Sequence, residues 1–380
     1  MSEYQLQQGQ TWYNKSKGII RKVVEPYTDE WFAERLNGIG GSESGTVLGM
    51  NNYEGGSCLE LFYTKIGLKP QRKDGNKYTF FGSLLEQSVA DVWEYHDGTE
   101  NGYIKNYEDK NKMRECRNVN GFITNIHFPH LYVNIDRLIQ KGAFSLLNGH
   151  IMEDNGILEC KTMSSYVAKK WESGLPPMYI MQVVQQCMCM GLDYAEIAVL
   201  ELDNRNLSVY PIEPTAEHKE MLLTYTHNFW YNMVLPAKEL VQEMNLYTKR
   251  GEFAKAEQAK AAIEQLEPAA DGSESYKQFM NERWLSEANV IKADEEMIEN
   301  IKQLTIIKEL AKKIEPDQTF CENKIREYMR ECDEMDCGLN GKVTWKTGSN
   351  GKTRTLRTAS FKFDHAEIVE DLYNSIKSKI

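Results

Sequence analysis

The run Gly156-Ile-Leu-Glu-Cys-Lys-Thr162 constrains this chain most, because it puts an acid and a lysine inside an otherwise apolar strand. Side chains alternate along a strand, so Glu159 and Lys161 share one face while Leu158 and Cys160 share the other. Charges in such a setting are costly to bury unless they are paired or bind a metal. A second apolar β run, Leu131-Tyr-Val-Asn-Ile-Asp-Arg-Leu-Ile139, carries Asp136. Side by side, the two strands would bring Asp136 and Glu159 together, and two close carboxylates repel unless a cation sits between them. Oxygen ligands with open water positions suit Mg²⁺, with Mn²⁺ as a substitute. Such an ion would polarise a phosphodiester and help make hydroxide from water. Lys161 would position that water or stabilise developing charge. Read alone, so short a motif also describes an ion pair between neighbouring surface strands.

The rest of the chain sets limits. At 380 residues, 41% hydrophobic and 27% charged, it is an ordinary globular sequence of two or three folding units. No apolar window is long enough for a membrane span, and the start, MSEYQLQQGQTW, carries no basic region followed by an apolar stretch. A cytoplasmic location is therefore expected. The formal net charge of -11 argues against a wholly basic nucleic-acid binder, though not against an enzyme with a local basic groove. Eight cysteines without a C-x-x-C pair read as reduced structural thiols, among them Cys187 and Cys189 in a core helix. His127-Phe-Pro-His130 reads as structural, since Pro129 opposes a helix presenting both rings.

Texture changes along the chain. Short β-type runs and Gly-bearing turns extend to about residue 215, and from Pro214 the sequence turns helical and charged. Arg250 to Asp336 holds 13 basic and 21 acidic side chains, and Met297, Ile298, Ile301, Leu304, Ile307, Leu310, Ala311 and Ile314 form an amphipathic stripe. Pro268 to Ser273 reads as a break between a helix ending near Leu266 and one starting near Tyr276. Lys342 to Phe363 holds six basic side chains and no acid, and reads as strand, turn, strand. It is either a hairpin with a solvated basic face or one that touches phosphates, Trp345, Phe361 and Phe363 lying among the cations.

The ordered blocks Gly38-Ile-Gly-Gly-Ser42, Gly82-Ser-Leu-Leu-Glu86, Asp136, Glu159-Cys-Lys161 and Tyr179-Ile-Met-Gln182 resemble the YqaJ-like viral recombinase family. That family is similar to lambda exonuclease within the PD-(D/E)XK nuclease superfamily, and the resemblance covers roughly residues 25 to 215. It implies an α/β (α+β) fold whose αβββαβ core is a central mixed sheet flanked by helices. It also implies Mg²⁺-dependent 5′-to-3′ digestion of one strand of linear duplex DNA. By position, Asp136, Glu159 and the Cys160 main-chain carbonyl would hold the metal, with Lys161 the catalytic lysine. Glu86 matches an acid on the first core helix, acting directly or through water, and is expected in the first turn after Gly82. Gln182 matches a glutamine that touches the nucleophilic water or the DNA. Arg35 and Ser42 match a pair near the 5′-phosphate. In parallel, Gly40-Gly41-Ser42 would open a helix whose free N–H groups and N-cap hydroxyl favour an anion.

Cys160 stands where an aliphatic residue is usual, and Lys141 to Asn155 lengthens the link between Asp136 and Glu159 into an inserted loop. Trp171, Tyr166 and Tyr179 would stack on bases or pack in the core. The expected organisation is a nuclease core over residues 1–235, an acidic helical arm over 236–341, and a basic hairpin with a C-terminal helix over 342–380. The resemblance further implies a ring-like homo-oligomer, a trimer. It also implies a RecT-like single-strand annealing protein as partner, in a phage or prophage setting within a bacterial host. Two other readings are a non-cleaving DNA-end-binding adaptor and a nuclease of the CRISPR-adaptation or helicase-associated kind. The intact Asp136, Glu159 and Lys161 set weighs against the adaptor.

Overall fold

The computed structural model describes residues 18–50, 56–71, 77–97, 112–147, 149–171, 174–284, 290–347, 354–358 and 366–378. The protein divides into two compact units, Met1–Leu285 and Ser286–Ile380.

The first unit opens with β1 (Ile19–Lys22), α1 (Asp29–Arg35), β2 (Ile39–Gly40), a 3₁₀ turn (Gly41–Glu43), α2 (Ser44–Val47) and α3 (Cys58–Lys65). Then come α4 (Lys77–Glu94), β3 (Cys116–Arg117), β4 (Phe122–Thr124), β5 (Leu131–Tyr132), β6 (Arg137–Ile139) and β7 (Gly156–Met163). A short α5 (Ser165–Ala168) leads to α6 (Pro177–Met190), β8 (Ala195–Glu201) and β9 (Asn206–Ile212). The main sheet has the order β3-β6-β7-β8-β9. β3, β6 and β7 pair antiparallel, and β8 joins β7 in parallel after the crossover through α6. Helix, three strands, helix, strand is the expected αβββαβ succession within a mixed α/β fold.

β7 is buried on both faces, which is why it reads as an almost continuous apolar run. Ile157 packs in one core cluster with Val183, Val184 and Cys187 of α6. Leu158 and Cys160 pack in a second, with Val89, Ala90 and Trp93 of α4. Pro177 stands in the first turn of α6, and Gly191, at φ 69°, closes its end in the left-handed conformation.

The single strand expected over residues 131–139 is two strands with different partners. β5 runs parallel to β2, whereas β6 runs antiparallel to β7. Polar side chains cause the break. Asn134 Nδ2 donates to the Gly121 carbonyl at 2.8 Å, and Asp136 takes a backbone N–H from β7, contacts that compete with a regular ladder. The long β6–β7 connection is closed by a bridge between Phe144 and Ile151.

Helices α7 (Ala216–His227), α8 (Leu235–Lys249), α9 (Phe253–Glu264) and α10 (Glu274–Arg283) complete this unit, with a π-helical stretch over Asn228–Val234. Val241 and Ile263 join the same core cluster as Ile157, so residues 236–285 lie in the first unit. The break at Pro268–Ser273 is present, and Ser273 caps α10 through the Tyr276 N–H.

In the second unit α11 (Glu295–Met329) is a 35-residue helix with Pro316 inside it, and its apolar stripe is solvent-exposed. β10 (Glu334–Asp336), β11 (Lys342–Thr347) and β12 (Arg354–Arg357) form an antiparallel sheet. The Arg354 guanidinium lies 3.9 Å from the Trp345 ring centroid. The turn expected at Gly348–Gly351 lies outside the described residues, as do Phe361 and Phe363. α12 (Ala366–Lys377) ends the described chain. Among the described residues no helix is long and apolar enough to cross a membrane.

Candidate active site

Asp136 stands one residue before β6, and the β6–β7 register pairs its neighbour Arg137 with Leu158. Asp136 Oδ2 accepts the Cys160 N–H at 2.8 Å. Glu159 is almost wholly buried, and both of its carboxylate oxygens are hydrogen-bonded. Oε1 accepts from Lys161 Nζ and, at 2.6 Å, from Gln182 Nε2; Oε2 accepts from Gln186 Nε2 at 2.6 Å. The two glutamines are one turn apart on α6, so the helix that crosses between β7 and β8 carries both clamps.

The electrostatics follow from this packing. Burial, and then the Glu159 carboxylate, push the Asp136 carboxyl well above its usual range, against the pull of Lys161. Burial draws Lys161 down, but Glu159 and Asp136 outweigh it and hold the amine above the usual lysine value. A buried acid disfavoured as an anion beside a second carboxylate suits a divalent cation. The donors fit one: two hard carboxylates, with the Cys160 carbonyl and water to complete the shell. Among the described residues no group of three or more His, Cys, Asp or Glu side chains gathers for a metal.

Glu86 reaches this region through Arg137. Arg137 Nη1 donates to Glu86 Oε1 at 2.5 Å and to the Asp136 carbonyl at 2.5 Å, while Nη2 donates to Gln87 Oε1 at 2.9 Å. The expectation that Glu86 lies in a first helical turn is corrected: α4 starts at Lys77 and runs through Gly82. One glycine costs a helix only about 1 kcal/mol relative to alanine. That is too little to stop one anchored further along by Val89, Ala90 and Trp93.

Arg35 and Ser42 flank a different anchor. Arg35 Nη2 donates to Glu43 Oε1 at 2.9 Å, and its guanidinium carbon lies 4.8 Å from the Trp31 ring centroid. Ser42 is exposed inside the 3₁₀ turn and is not the N-cap expected of it. The N-cap is Gly40, whose N–H the side chain of Glu43, third in the turn, accepts at 2.7 Å. The turn abuts the first group of residues: a Cβ on Gly41 would lie 3.7 Å from the Gln182 carbonyl. Gln185 Nε2 ties α6 to the Ile39 carbonyl at 2.8 Å. The Arg35–Ser42 segment and the Glu159 carboxylate thus meet on the stretch of α6 from Gln182 to Gln186.

All of these residues fall within one family match. Residues 30–193 match the YqaJ-like viral recombinase domain. Across the longer chain, 26% of 337 residues are identical to the uncharacterized protein YqaJ of Bacillus subtilis strain 168, with 88% of each protein covered. Two solved structures also align. One is an alkaline exonuclease (LHK-Exo) from Laribacter hongkongensis, 16% identical with a TM-score of 0.41, over 58% of this chain and 100% of that one. The other is a phage related exonuclease from Haemophilus somnus 129PT, 11% identical with a TM-score of 0.33, over 55% of this chain and 96% of that one.

Beside Lys161 the matched region opens into a cleft of about 580 Å³ lined by Tyr78, Phe81, Trp171 and Tyr179 among others. Trp171 is buried against Tyr179, centroids 5.0 Å apart, while Tyr166 is exposed. His130 is buried, with Nε2 3.4 Å from the Thr226 hydroxyl. Gln186 and Arg137 were not foreseen. The four-residue spacing of Gln182 and Gln186 was a visible signal; the Arg137 bond to Glu86, 51 residues away, had none.

Proposed function

We propose that the YqaJ-like domain is a Mg²⁺-dependent exodeoxyribonuclease that resects linear duplex DNA 5′ to 3′, leaving 3′ single strands for phage-type recombination. The observation that carries this is the Glu159 carboxylate, joined to Lys161 and Gln182 and beside Asp136, which precedes the neighbouring strand β6. Bound between Asp136 and Glu159, the metal would supply Lewis-acid polarisation of the phosphodiester and a more acidic water. Glu159 is kept in place by Gln182 and Gln186, so its oxygens need no reorganisation during the reaction. Lys161, held as an ammonium, suits stabilisation of charge on the phosphate better than proton abstraction. Arg35, with Ser42 beside it, would read a terminal 5′-phosphate, which carries more charge than an internal diester.

The deciding experiment is digestion of linear duplex DNA with 5′-phosphate or 5′-hydroxyl ends, in Mg²⁺ or EDTA. Loss of 5′-terminal nucleotides in Mg²⁺ only, faster from phosphorylated ends, is expected. Binding of ends without cleavage would instead favour an adaptor. A ring-shaped trimer and a RecT-like annealing partner belong to the same proposal. Light scattering with DNA present and pull-down of the annealing protein test them.

A further inference from the structure

Lys65 lies at the end of α3, its side chain only 2% exposed, and cannot itself touch DNA. Its amine donates to Glu43 Oε2 at 2.7 Å and to the Arg35 carbonyl at 2.6 Å. Glu43 Oε2 also accepts the Gly40 N–H, so that oxygen is occupied twice. Glu43 therefore grips Arg35 through Oε1 alone, by the single nitrogen Nη2. A carboxylate with both oxygens available pairs with a guanidinium in a two-bond fork, which occupies two of its donors and holds it more tightly. Here the fork is prevented. The three charges Arg35, Glu43 and Lys65 sum to one positive charge, and Arg35, part-exposed, is the member of the group open to solvent. Lys65 also fixes where that charge sits. Together with Lys238, which donates to the Leu36 carbonyl at 2.6 Å, it satisfies carbonyls at the C-terminal end of α1, the helix that carries Arg35.

We infer that Lys65 is a positioning residue for the recognition of phosphorylated DNA ends: by occupying Glu43 Oε2 it keeps Arg35 monodentate and available to the terminal phosphate. The inference rests on the reading of Arg35 as the end-phosphate ligand. In a Lys65→Met protein Oε2, left with the Gly40 N–H alone, has a lone pair free for Arg35, the fork closes and the guanidinium is held away from the phosphate. A neutral amide at position 43 cannot do this, so adding Glu43→Gln to Lys65→Met releases Arg35 again.

The experiment measures the ratio of digestion rates on 5′-phosphate and 5′-hydroxyl ends of one duplex. It compares the full-length wild type, Arg35→Ala, Lys65→Met, and the Lys65→Met/Glu43→Gln double variant, each with its melting temperature. Lys65→Gln, which keeps a donor for the Arg35 carbonyl, stands in if the methionine variant does not fold. The expected result is a ratio that falls to the Arg35→Ala value in the single Lys65 variant and recovers in the double variant. A wild-type ratio in the Lys65 variant overturns the inference, as does a double variant that stays low, since Lys65 would then act only through the fold. If wild type and Arg35→Ala share one ratio, the end-phosphate reading itself fails and the inference with it, a result distinct from the other two.

Discussion

Gln182 and Gln186 divide the Glu159 carboxylate between them, one oxygen each, at 2.6 Å from either amide. The acid at the centre of the site is thus fixed from the crossover helix, while Asp136 approaches from just before the neighbouring strand and Lys161 from the strand of Glu159 itself.

If this set performs hydrolysis, Asp136→Ala, Glu159→Ala and Lys161→Ala each abolish or nearly abolish it while melting stays cooperative. For Lys161→Ala the loss in turnover should be about 10²–10³-fold, typical of removing one preorganised charge-stabilising donor. Nuclease assays beside thermal melts check this. Wild-type turnover in a folded Glu159→Ala protein would refute the assignment.

Gln186→Leu should raise the Mg²⁺ concentration needed for half-maximal rate by about 10–100-fold, as expected when a group that orients a metal ligand is lost. Saturating Mg²⁺ should then recover much of the rate, unlike in Glu159→Ala. A metal titration of both proteins separates the two roles, and an unshifted titration for Gln186→Leu would show the clamp to be dispensable.

A pH effect on stability follows from His130. Burial, aided by nearby His227, lowers its imidazole to about 3 from an ordinary 6.5. The unfolded chain takes up this proton first, so the contribution to stability is fully present above pH 6.5 and is lost as pH falls towards 3. The slope from this residue approaches about 1.4 kcal/mol per pH unit below 6.5. Denaturant melts from pH 8 to pH 5 should show a flatter dependence for His130→Asn than for wild type, and parallel curves would contradict this.

Deleting residues 342–380 removes β11, β12 and α12, and with them the basic hairpin. DNA affinity should fall, and the slope of log affinity against log salt should lessen by about 0.9 for each phosphate that the hairpin neutralises. A salt titration of both proteins decides, with an unchanged slope denying the hairpin a role on DNA.

What was legible in the sequence tracks the range of the interactions involved. The sharing of one β7 face by Glu159 and Lys161 is a two-residue matter, and the amphipathic stripe of α11 spans three and four, so both could be read locally. Glu86, Gln182 and Arg35 needed a resemblance, because nothing in their own neighbourhoods distinguishes them from surface polar residues. Asp136 was located, yet its strand was drawn too long, since the Asn134 bond to Gly121 that breaks it crosses 13 residues. Ser42 looked like a cap, whereas the cap is Gly40, bonded by Glu43, which is itself held by Lys65, 22 residues further on. Interactions of that span leave no periodic trace.

Cys160 sits between Glu159 and Lys161, yet its side chain belongs to the core beneath α4, and burial holds the thiol well above its usual pKa. An alkylating reagent can reach that sulfur only when β7 and α4 part. The rate of Cys160 labelling is therefore a built-in clock for the breathing of the very strand that carries Glu159 and Lys161, readable by mass spectrometry without attaching any probe to the chemistry itself.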